Sequence, residues 1–419
     1  MSRSPRSPLS LARPRRNMWQ PIVAGFRPLF VSPSPGFFLG HDGNPFQGHM
    51  EILLDGDRSM VDAGAAIDLR FCRNTQVSDC AENTALDAER NLDWSTLSKA
   101  LSRIEWRPGW ATVAKMQTLP DGVIDVEYEL HRHHFVGKEL PANVSMETLP
   151  ASSLWLTHVH DEVPDVLIAC LDTDFDTFKV FKRCNKHHYF VDEVEFFASL
   201  TSTEGATDHL IFPTHAVVDE SACLRGVLLD YHSAGSLLHL YASYRMTPCW
   251  IDLPAFGGAP PPLTEELLVS WDVKALWAAD IAAALAWLHS HDIFWGDLSL
   301  QNVLLCDDGR MRLIDFFPNP SKYSPYFAAP EMTKENQFAS STPARDVFAL
   351  GMTLWALAEE VTLWKRDEGP PYVRPALPWR ETPQWFVELA HGCIAAEPET
   401  RPSAQSVYET LISHAALSE

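Results

Sequence analysis

"HSHDIFWGDLSLQNVLLCDDGRMRLIDFF", residues 289–317, places Asp297 and Asn302 between apolar runs and sets a third polar group, Asp315, directly after Leu313 and Ile314. The flanking β-formers read as short buried strands. A carboxylate at the end of such a strand is costly unless positive charge meets it. Immediately upstream, "VKALWAADIAAALAWLHSHDI" repeats apolar residues at helical spacing. Downstream, "VLLCDD" and "MRLID" flank a turn at Gly309, the pattern of a hairpin. The local order is therefore helix, loop, hairpin, Asp.

The chain around this stretch has 419 residues, 46% hydrophobic and 11% aromatic, enough for a two-lobed domain plus an extra region. A formal charge of -22 argues against nucleic acid or an anionic membrane surface as the main partner, since both require cationic faces. No apolar run approaches the length of a membrane span. Eight cysteines without a CxxC pair suit a reducing compartment, the cytoplasm or nucleus.

Residues 1–47, opening "MSRSPRSPLSLARPRRNMWQ", are rich in Ser, Pro and Arg and read as a disordered tail. Residues 48–150 hold short apolar stretches, "HMEILL", "AIDLRFC" and "GVIDVEYEL", with "DWSTLSKALSRI" as a helix. They form a small β-rich region whose role the sequence does not disclose. From 151 to 416 the pattern is a β-rich part, 151–231, followed by a mostly helical part, 232–416, so the fold class is α+β.

The helix–loop–hairpin–Asp order resembles the eukaryotic protein kinase family, whose catalytic loop reads HRDxxxxN and whose metal-binding motif reads DFG. Further signatures follow in the family's order: "AAPEM" with Glu331, "DVFALGMTLWAL" with Asp346, and "AAEPETRPSA" with Arg401. The resemblance implies a two-lobed fold, ATP and Mg²⁺ as cofactors, and a protein substrate that the sequence does not identify. It makes Asp297 the base for the acceptor hydroxyl and gives Asn302 and Asp315 the metal. Asp346 is expected to hold the catalytic loop's backbone, and Glu331 to pair with Arg401.

The same resemblance requires a strand lysine for the phosphates and a helix glutamate beside it. "DTFKVFKRCNKHHYFVDEVEFFASL" offers two lysines. Alternation that sets Thr177 and Phe181 on one face, with Phe178 and Val180 packed on the other, selects Lys179. An apolar stripe of Phe190, Val194, Phe197 and Leu200 leaves Glu193 as its partner. "GVLLDYHSAGSL" resembles the segment joining the lobes. Leu229 stands at the gatekeeper position, Asp230, Tyr231 and His232 offer backbone to adenine, and Gly235 permits the turn that follows.

Several positions depart from the family. "LWLTHVHDEVPDVLIACL" has no glycine where the family's phosphate-covering loop is glycine-rich. Trp295 and Gly296 replace its His and Arg, a form that resembles divergent, fungal-type members. Ser299 stands where Ser/Thr-type members carry lysine, and Phe317 replaces the last glycine of DFG. Three readings follow. The first is an active kinase acting on protein Ser or Thr rather than Tyr, and the second is a pseudokinase serving as a binding or scaffold module. The third, a small-molecule kinase, is disfavoured by Glu331, Asp346 and Arg401.

Overall fold

The structure, a computed structural model, describes residues 27–39, 45–55, 66–87, 92–104, 110–132, 139–160, 163–171, 173–183, 190–218, 222–244, 250–263, 266–319, 323–366, 370 and 372–415. These fall into two compact units. One takes in residues 199–212 and 232 onward; the other takes in residues up to 198 together with 213–231.

The second unit holds two sheets. The first has the order β1 (Arg27–Leu39), β2 (Pro45–Asp55), β3 (Ala66–Phe71), β4 (Trp110–Thr118), β5 (Ile124–Arg132). All its pairings are antiparallel except β3 with β4. A parallel pair needs a crossover, and helices α1 (Ala81–Asp87) and α2 (Trp94–Leu101) lie between β3 and β4 in sequence. Leu69, Phe71, Leu97, Ala114 and Met116 make its core. Strand β1 corrects the tail reading of residues 1–47 for Arg27–Leu39; residues 1–26 and 40–44 lie outside the described residues. Its apolar "PLFV" and "GFFL" runs pair with β2, and Pro33 and Pro35 are tolerated because β1 is an edge.

The other sheet runs β6 (Glu147–Pro150), β10 (His215–Val218), β11 (Leu224–Asp230), β9 (Asp174–Arg183), β8 (Val163–Leu171), β7 (Leu154–His160). The compact units do not divide at 150/151. Strand β6 pairs in parallel with β10, and Glu139 bridges to Cys223, so the preceding region is tied into this sheet. One face buries Phe181 with Leu154, Leu167, Ala169 and Leu228. The opposite face packs Val227 and Ala216 against Phe190 and Val194 of helix α3 (Phe190–Leu200). Gly226 is what lets Phe181 in: a Cβ there would collide with the Phe181 ring and the Lys182 carbonyl.

The first unit is helical. In chain order it holds α4 (Ala206–His209), α5 (Leu237–Tyr244), α6 (Trp271–Ser290), α7 (Pro343–Glu359), α8 (Gln384–Cys393) and α9 (Ala404–Ala415). Helix α6 is alanine-rich and buried on most sides, with Trp277, Ile281, Leu285 and Leu288 in the core. It packs against α9, while α7 packs against α8. The start of α7 follows from Thr342, whose hydroxyl accepts from the Arg345 amide at 3.3 Å, and from Pro343 at the first helical position. Its end is Glu360, at φ 51°, whose fully buried carboxylate meets Lys274 Nζ at 2.8 Å. Burial holds the Lys274 ammonium below its usual pKa, and Glu360 opposes that shift.

Two small pairings complete the unit. Strands β12 (Trp250–Asp252) and β15 (Leu363–Lys365) run parallel. The hairpin of β13 (Val303–Leu305) and β14 (Met311–Leu313) turns at Gly309, φ 80°. Asp280, buried in α6, clamps that hairpin by accepting from Arg310 Nε and the Met311 amide, at 2.9 and 3.0 Å.

Candidate active site

The β13–β14 hairpin is the local device that assembles the polar residues of the opening stretch. Asn302 immediately precedes β13 and Asp315 follows β14 after one residue. Antiparallel pairing of Val303 with Leu313 continues in a bond from the Ile314 amide to the Asn302 carbonyl, 3.0 Å. Asn302 and Asp315 therefore stand at the same end of one hairpin. Asn302 Nδ2 donates to the Asp297 carbonyl at 2.8 Å, which fixes the loop between them and turns the amide oxygen elsewhere. Asp315 sits at φ 56°, and its carbonyl accepts from the indole Nε1 of Trp295 at 2.9 Å. Trp295 is 2% exposed. The replacement of histidine by tryptophan thus retains a ring N–H that ties the catalytic loop to the residue after the hairpin.

Asp346 fastens the same loop from below. Its fully buried carboxylate accepts from the Trp295 amide (2.8 Å), the Gly296 amide (2.7 Å) and the Ser341 hydroxyl (2.8 Å), and lies 3.1 Å from His289 Nε2. Four partners compensate the cost of burying the carboxylate. Glu331 and Arg401 form a two-bond pair at 2.8 and 2.7 Å, and Arg401 also reaches the carbonyls of Ala344 and Ala395.

Asp297 has a partner that the sequence reading did not name. Ser324, in the segment leading to Glu331, donates its hydroxyl to Asp297 Oδ1 at 3.0 Å. Only its place five residues before Ala329, in "SPYFAAPE", could have signalled it.

In the other unit the lysine assignment is corrected. Lys182, not Lys179, meets Glu193, with Nζ to Oε1 at 2.5 Å, and the Glu193 side chain is only 8% exposed. Lys179 instead pairs with Asp230 at 2.6 Å, a cross-strand neighbour on β11 whose side chain is 55% exposed. Alternation with Phe181 on the lysine's face selects Lys179. In fact Phe181 fills the core on the face away from α3, which leaves the even positions, Val180 and Lys182, on the helix side. Lys182→Met is expected to lower phosphate incorporation by at least about 100-fold, while Lys179→Met stays within about twofold. Initial rates of labelled phosphate transfer for the two variants check this assignment.

Leu229 is half-buried and packs on the α3 face beside Val227. Tyr231 stacks edge-on with Phe178, and Asp230 ends β11. His232 lies 3.6 Å from Asp307, and Gly235 takes φ 68° before α5. The connection between β7 and β8, residues 161–162, and the side chains of 155–165 lie outside the described residues, so the acids noted there have no structural account.

With the geometry in view, similarity to known proteins is decisive. Residues 259–411 match a sequence model described as the protein kinase domain. That match bears out the resemblance to the eukaryotic protein kinase family. A probable serine/threonine-protein kinase of Dictyostelium discoideum is 27% identical over 168 residues, 36% of this chain and 39% of that protein. The serine/threonine-protein kinase kin-29 of Caenorhabditis briggsae is 32% identical over 99 residues, 21% and 12% of the two chains. The mitogen-activated protein kinase kinase kinase YODA of Arabidopsis thaliana is 27% identical over 146 residues, 31% and 16%. The matched stretches cover well under two thirds of these relatives' own lengths.

The kinase domain's donor set fits a phosphate-bound magnesium ion. Among the described residues, no group of three or more His, Cys, Asp or Glu forms a metal cage. Mg²⁺ on a triphosphate needs none, since one carboxylate and one amide oxygen beside phosphates and water suffice. Asn302 and Asp315, at one hairpin end, offer one amide oxygen and one carboxylate of that kind. No helix among the described residues is long and apolar enough to cross a membrane.

Proposed function

We propose that this kinase domain transfers the γ-phosphoryl group of ATP to a serine or threonine hydroxyl of a protein. The observation that carries the reading is Asp297 Oδ1 accepting from a serine hydroxyl, Ser324, at 3.0 Å, on a loop tied down by Asn302 and Asp346. A carboxylate already oriented toward an aliphatic hydroxyl is placed to orient an acceptor and take its proton. The acceptor oxygen forms the new P–O bond, the bond to ADP breaks, and the proton passes to Asp297. Asn302 and Asp315 would hold magnesium, which when bound neutralises charge on the phosphates. Lys182, set by Glu193, is the cation we assign to the nucleotide phosphates. The names of these relatives, serine/threonine-protein kinases, agree with this acceptor class.

The second reading, a pseudokinase, has its own support in the absence of glycine from 154–171 and in Ser299, buried where a lysine cation would balance γ-phosphate charge. Thermal unfolding with increasing ATP and Mg²⁺ separates these readings from a protein that binds no nucleotide. Stabilisation should grow with ligand and reach roughly 2.7 kcal/mol at a hundredfold excess over Kd, and Asp315→Ala should abolish it. Binding without phosphate transfer to any protein or peptide mixture would favour the scaffold; a flat titration would remove the kinase reading.

A further inference from the structure

A pocket of about 90 Å³ lies within the helical unit, beneath the segment that ends in Glu331. Its floor includes Trp295 and Gly296, its apolar wall Phe327 and Met332, and its polar rim Ser340 and Arg345. Gly296 lines the pocket with backbone alone, and a Cβ there would come within 3.1 Å of Ser341 Cβ.

The charge in this pocket is one-sided. Among the described residues Arg345 is the only ionised side chain that lines it, in a chain whose net charge is -22. Among the described residues Arg345 makes no ion pair; its guanidinium reaches only the Asn336 carbonyl, at 3.4 Å. The nearest acids do not compensate it. Asp297 and Asp346 are each approached through a lining serine, Ser324 and Ser341, whose hydroxyl is spent on the carboxylate. A half-buried guanidinium without an acid favours an anion of matching size, and its planar fork matches phosphate oxygens. The volume is below the roughly 150 Å³ of a cavity that accepts benzene, and it suits a small tetrahedral oxyanion.

We propose that this pocket is a phosphoryl-binding site in which Arg345 supplies the counter-charge. Its occupant braces the catalytic loop through Gly296. The proposal does not depend on the phosphotransfer reading. Two sources offer the same chemistry: free phosphate, and a phosphorylated Ser340, which is exposed and already on the rim.

Thermal unfolding of the full chain, without nucleotide, tests it. Inorganic phosphate at constant ionic strength should raise the wild-type midpoint saturably, by roughly 3–6 °C at tenfold over Kd. Arg345→Gln should remove the rise, Arg345→Lys should keep part of it, and Asp315→Ala should keep all of it. Intact-mass analysis forms the second arm. If purified protein carries phosphate on Ser340, phosphatase treatment should lower the midpoint in wild type and leave Arg345→Gln unchanged, which identifies the internal source. A response to phosphate or phosphatase that is equal in wild type and Arg345→Gln, or no response in either arm, overturns the proposal. Loss of the phosphate rise in Asp315→Ala assigns the effect to the nucleotide site and also overturns it. The ATP–Mg²⁺ titration above is independent of all these outcomes.

Discussion

Asp297→Asn is expected to lower phosphate incorporation roughly 100- to 10,000-fold, the range a positioned general base contributes, with little change in unfolding temperature. The substitution is the mildest available. Asparagine keeps an oxygen for the Ser324 hydroxyl, which now lies 3.0 Å from Oδ1. It also keeps the main-chain carbonyl that receives Asn302 Nδ2 at 2.8 Å. Only the capacity to take a proton is lost. Initial rates with a mixed protein acceptor, beside a melting curve of the same preparation, measure both quantities. A variant that keeps more than about a tenth of the wild-type rate would remove Asp297 from the role of base.

Asp346→Ala should have the largest effect on stability, a loss of about 3–5 kcal/mol, the range for removing one partner of a buried charged pair. For a unit of this size that corresponds to a fall of roughly 6–20 °C in midpoint. The Trp295 and Gly296 amides would both lose their acceptor, and water does not reach a site that is 1% exposed. Asp346→Asn should rescue little. An amide can face only one of the two loop N–H groups with oxygen and would set its own N–H against the other. Melting curves of the three proteins decide the matter; an asparagine variant as stable as wild type would mean that shape, not charge, holds the loop.

These expectations rest on features of unequal legibility in the sequence. The α6 helix, the β13–β14 hairpin and the Glu331–Arg401 pair were readable because each has a local signature: helical spacing, a glycine turn, or two charges in a known order. Lys182 was not. Strand β9 is packed on both faces, so Phe181 and Val180 support opposite phases equally well, and only the position of α3 selects one. Ser324 was missed for a different reason: a hydroxyl in a short polar segment has no periodicity, and its value lies in a contact 27 residues away. Strand β1 was hidden by the arginine- and proline-rich residues before it, because composition averaged over a tail masks a short apolar edge. The pocket beside Arg345 could not be read at all, since it exists only where Gly296, Ser341 and the start of α7 meet.

That meeting point also limits how the catalytic loop can change. Gly296 stands at φ 88° with Ser341 Cβ 3.1 Å from where its own Cβ would lie. An arginine restored there in one substitution would meet both a left-handed backbone and an occupied position. Reversion to the family's usual pair would need a coordinated change at 341, or a different path for the loop. Position 296 is thus held to glycine by its backbone angle and by the neighbouring Ser341 together.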